Sequence, residues 1–120
     1  MPIWAVLLAS AFATMGPAPA LAEGFQPVRS KGDFLSLIKG KSLRRFGINL
    51  QVRDDGQIEG RAMGWPVTGQ WNWQDGYFCR EMNWGGTDIG ANCQLVVVQG
   101  RTLRFIADKG KGDSADLKLH

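Results

Sequence analysis

The chain has 120 residues, 14 lysines and arginines against 11 acids, and a formal net charge of +3. That length supports one small domain after any leader is removed, and the basic residues (Arg44-Arg45, Arg101, Arg104, Lys109, Lys111) are too scattered for a nucleic-acid stripe. Two cysteines and a single histidine, His120, argue against a metal site and against Ser-His-acid catalysis.

Residues 1–22 read as a secretory signal peptide. Ile3 to Met15 is apolar, and Ala20-Leu21-Ala22 is an A-x-A cleavage site before Glu23. A basic residue before the apolar run is missing, and the run is too short for a membrane span. The mature domain is therefore 23–120, with no span after cleavage and a periplasmic or secreted location. In that compartment an even cysteine count predicts a Cys79–Cys93 disulfide. The pair lacks the C-x-x-C spacing of a redox centre.

Ser30-Lys31-Gly32-Asp33 resembles a capping box, Phe34, Leu35, Leu37 and Ile38 follow at helical spacing, and Gly40 suits a C-terminal cap. This predicts one short helix, which must lie on a sheet or plug a barrel end. Leu43 to Val52 reads as one strand with Phe46, Ile48, Leu50 and Val52 on a common face. Asp54-Asp55-Gly56 turns it into Gln57–Met63, where Gly60 and Ala62 leave room for indoles opposite. Gly64-Trp65-Pro66 is expected to break that strand.

Val67, Gly69, Trp71 and Trp73 then alternate with Thr68, Gln70 and Asn72. Asp75-Gly76 supplies a hairpin turn. Tyr77 to Trp84 returns with Phe78, Arg80, Met82 and Trp84 on one face. Gly85 to Gly90 reads as a loop, Asn92 to Gln99 as a strand, Gln99-Gly100 as a turn, and Leu103, Phe105 and Ala107 as the next alternation. Asp108 to Asp113 is expected to be a mobile loop before a last strand holding Ala115, Leu117 and Leu119. The fold class is all-β: one antiparallel meander barrel of about seven strands with one short N-terminal helix.

Gly69-Gln70-Trp71-Asn72-Trp73-Gln74-Asp75-Gly76-Tyr77-Phe78-Cys79-Arg80, the Gly85-Gly86 pair and Gly112-Asp113-Ser114-Ala115-Asp116 resemble a family of small exported alphaproteobacterial proteins. The resemblance covers essentially the whole mature chain, and some members of that family carry the label dihydrodipicolinate reductase. Gly69-x-Trp71 is also similar to the G-x-W of lipocalin and avidin barrels, the calycins. A reductase of that name would need a G-x-G-x-x-G between strand and helix to seat a pyrophosphate. This chain has none, so the label implies no activity here.

The aromatic set admits two readings. Trp71 and Trp73 are either the core of a small barrel, or they line, with Trp65, Tyr77 and Trp84, a mouth that takes an apolar ligand. Arg80, on an apolar face, either pairs with an acid or faces a ligand carboxylate. The expected function is a non-catalytic, cofactor-free barrel that binds a small apolar ligand or a periplasmic protein, without nucleic acid. The alternative is an envelope-associated structural or hydrolase-inhibitor-like module working through loops such as Gly85–Ala91 or Asp108–Asp113.

Overall fold

In the computed structural model, which describes residues 24–120, the Ser30 side chain accepts the Asp33 N–H at 3.1 Å. This caps α1 (Lys31–Ile38), a helix far too short to persist alone in water. What holds it is the barrel beneath it, into which it sinks Phe34 and Ile38. The predicted signal peptide lies outside the described residues. Among those residues, no helix is long and apolar enough to cross a membrane.

Before α1 comes a two-residue strand, β1 (Gln26–Pro27). After it come β2 (Leu43–Arg45), β3 (Ile48–Val52), β4 (Gln57–Ala62) and β5 (Trp65–Gln74). The chain continues through β6 (Tyr77–Trp84), β7 (Thr87–Gln99), β8 (Thr102–Ile106) and β9 (Ser114–Leu119). Each strand from β2 onward pairs antiparallel with its chain neighbour, and β9 returns to β2 with Leu43 opposite Leu119. The result is a closed eight-stranded meander barrel, and closure leaves no free sheet edge among these strands.

The eighth strand comes from the predicted Leu43–Val52 run. It splits at Phe46-Gly47, where Gly47 takes a φ of +75° and its carbonyl accepts the Met63 N–H at 2.7 Å. The split corrects the face assigned to Phe46: it sits at a turn tip, 93% exposed, rather than among the inward residues. The turn after β4 is Met63-Gly64, so Trp65 and Pro66 lie within β5, opposite Ala62 and Arg61. Pro66 keeps its place because its carbonyl still accepts a bond, from the Gly85 N–H at 2.8 Å.

β7 is also longer than its composition suggests. Gly85-Gly86 alone makes the turn, and Thr87-Asp88 already pair with Trp84 and Asn83. A register shift in β6–β7 near Glu81/Asn83 absorbs the glycine-rich segment. Past Gln94, β7 leaves β6, and β1 takes over that edge, with Pro27 opposite Val97 and the Val28 N–H on the Val96 carbonyl at 2.8 Å. The segment expected to be a mobile loop is pinned instead. Asp108 exchanges two bonds with the Asn92 side chain, at 2.8 and 3.0 Å, and Ala107 donates to the Asp113 carbonyl at 2.8 Å.

The strand glycines serve backbone approach rather than indole room. A Cβ on Gly60 would collide with the Asn49 carbonyl and Leu50 Cα, and one on Gly69 with the Glu81 carbonyl. Tight coiling of a small barrel brings neighbouring strands that close.

Cys79 and Cys93 face each other across β6 and β7 and are disulfide-bonded. The bond sits one residue before the last β6–β7 pair, Phe78–Gln94, so it clamps the seam where β7 changes partners. For a sequence separation of 14, loop-closure entropy gives about 3 kcal/mol. Urea unfolding of oxidised and reduced protein should therefore differ by about that amount. Coincident curves would show that the barrel needs no clamp.

Candidate functional site

The barrel interior has two halves set by side-chain size. At the helix end it is aromatic. The Phe34 ring, wholly buried, lies 5.3 Å from Trp71, 5.2 Å from Trp73 and Phe78, and 6.4 Å from Phe105. Trp71 is further fixed by its indole N–H on the Arg53 carbonyl at 2.7 Å, which ties the β3–β4 turn to β5.

Away from the helix the inward residues become aliphatic. Leu43, Ile48, Leu50, Val52, Ile58 and Leu117 line a cavity of about 280 Å³. Phe78 and Phe105 form part of its wall, with Met82 beside them. Its polar groups are few: Arg45, Arg80, Gln94, Asp113 and Ser114. A mostly apolar cavity with a few polar groups is the usual form of a small-molecule site.

Arg80 is the most informative of these. It lies on β6 between Phe78 and Met82, on the inward face that alternation predicted. Its guanidinium is half-buried and donates to the Gly90 carbonyl at 3.0 Å. No carboxylate pairs with it among the described residues. Burial alone lowers its pKa, with no acid pulling the other way. One carbonyl uses one of five N–H donors, so the cation retains capacity for an anion.

The other residues singled out in the sequence lie elsewhere. Trp71 and Trp73 belong to the plugged end. Tyr77 is half-buried, with the Lys109 ammonium 5.5 Å from its ring. Trp65 and Trp84 stand exposed at the end that carries the β2–β3, β4–β5 and β6–β7 turns. Of the six, Arg80 alone lines the cavity. The aliphatic wall from β2, β3, β4 and β9 escaped sequence reading because core and pocket leucines look alike. The only available signal was the lone arginine in an apolar alternation. His120 exchanges backbone bonds with Ser42 at 3.0 and 2.9 Å and does not line the cavity. Desolvation and the charges of Arg101, Arg44 and Lys118 hold its imidazole below the ordinary value.

Against known proteins, the chain matches no family model, no curated protein and no solved structure. The functional reading therefore rests on this geometry.

The two core indoles differ in one respect. Trp71 Nε1 is bonded, whereas Trp73 Nε1 is buried without a partner. Losing a bonded donor strands the Arg53 carbonyl, while losing an orphan removes a desolvation cost of about 1–3 kcal/mol. Trp71→Phe should consequently destabilise the fold clearly more than Trp73→Phe in chemical denaturation. Equal losses would mean that packing, not hydrogen bonding, governs both sites.

Proposed function

We propose that the chain is a non-catalytic binding protein for a small amphiphile with an apolar body and an anionic head. The body fills the aliphatic cavity and the head meets Arg80. The observation that carries this reading is a half-buried guanidinium, without a carboxylate partner among the described residues, on the wall of a mostly apolar space whose other polar groups are Arg45, Gln94, Asp113 and Ser114. Leaving a cation half-desolvated is unfavourable unless something of opposite charge comes to it.

Size narrows the ligand. At about 280 Å³ the space lies at the small end of the range of small-molecule pockets, about 300–1,000 Å³. A medium-length acyl carboxylate or a single-ring organic acid fits, and a dinucleotide does not. The lining contains neither histidine nor cysteine, which favours holding a ligand over transforming it. The disulfide supports action in an oxidising compartment, in line with the signal-peptide reading.

Octanoate and octanol provide the test, since they share a chain and differ in head charge. Calorimetric titration should show octanoate binding more tightly. Arg80→Met should weaken octanoate by about tenfold or more, as loss of a charged hydrogen bond implies, and leave octanol nearly unchanged. Affinity for octanoate should fall as pH drops through the ligand's own carboxyl pKa. Equal binding of acid and alcohol, or an Arg80→Met protein that binds octanoate normally, would overturn the reading.

A further inference from the structure

The open end of the barrel carries large apolar side chains in water. Phe46 is 93% exposed, Trp65 60%, Met63 56% and Trp84 41%. They form one contiguous rim rather than isolated residues. The Met63 side chain lies over Gly47, next to Phe46. The Trp65 ring lies against Gly85, and the Trp84 indole N–H donates to the Ala62 carbonyl, opposite Trp65, at 2.8 Å.

This rim continues the cavity wall. Trp84 is the next inward position beyond Met82 on β6. Trp65 shares a register row with Ala62 and Ile48, and Ile48 lines the cavity. Two arginines flank it: Arg45 adjoins Phe46, with Asp116 close enough to feel its charge, and Arg61 is held at the rim by its bond to the Gly64 carbonyl at 2.7 Å. Asp88 lies opposite Asn83, next to Trp84, and accepts the Gly90 N–H at 2.7 Å.

Indoles and a phenyl ring beside arginines are the composition of surfaces that lie in a bilayer interface, where amphipathic rings sit at headgroup level and cations meet anionic lipid. We propose that this rim docks the mouth of the barrel onto an anionic phospholipid surface, so that the ligand passes between membrane and cavity without crossing water. The inference rests on the amphiphile reading above, and supplies the place from which the ligand comes.

Two measurements on the same protein test it. Sedimentation with phosphatidylglycerol vesicles should retain the protein and shift its tryptophan emission to the blue, while phosphatidylcholine vesicles do so weakly and added salt reduces the effect. Phe46→Ser/Met63→Ser, which leaves both rim indoles as reporters, should lose about tenfold or more in vesicle partition. Arg61→Glu should lose a smaller factor. Both variants should keep wild-type octanoate titration, because none of these residues lines the cavity.

Octanoate binding without vesicle binding would overturn the docking and leave the cavity reading standing. Vesicle binding without octanoate binding would overturn the amphiphile reading and the transfer of ligand that rests on it, and leave the docking of the rim standing. A concentration-dependent dimer that quenches the rim, with no vesicle retention, would reassign the surface to a second copy and overturn the proposal.

Discussion

Everything in this molecule depends on one plug. Phe34, carried by a two-turn helix, enters the barrel end and meets Trp71, Trp73, Phe78 and Phe105. Each aromatic pair adds about 0.5–1.5 kcal/mol beyond burial, and together they hold a helix that could not survive alone. The same contact seals one end of the barrel. A sealed end makes the remaining interior a cup rather than a pore.

The cup exists because side-chain volume falls along the barrel axis. Phe34, Trp71 and Trp73 fill the helix end, while leucine, isoleucine and valine, with Phe78 and Phe105 in the wall, line the cavity. Arg80 adds a polar mark to that cavity, and its bond to the Gly90 carbonyl ties β6 to β7.

Closure is obtained by local economies. β1 covers the edge that β6 vacates, and the disulfide clamps the strands one residue before they part. The exposed rim is the opposite case. Its glycine turns place Phe46, Met63, Trp65 and Trp84 in solvent, although the interior would have accepted apolar side chains. Contiguous exposed apolar patches commonly mark interaction surfaces.

From the residues alone came the all-β class, the capped helix, the Asp-Gly hairpin, the alternation of Val67 to Trp84 and the pairing of the two cysteines, because each is set by chemistry a few residues long. Phe46, Pro66 and the Gly85–Gly90 segment were not legible that way. Their roles depend on which strand lies alongside, and a neighbouring ladder overrides local turn and breaker preferences. The inward face of Arg80 was readable from period two. That the space beside it is empty was not, since a cavity is a property of the sum of side chains from β2, β3, β4, β6 and β9. Only closure of β9 onto β2 brings those side chains around one volume.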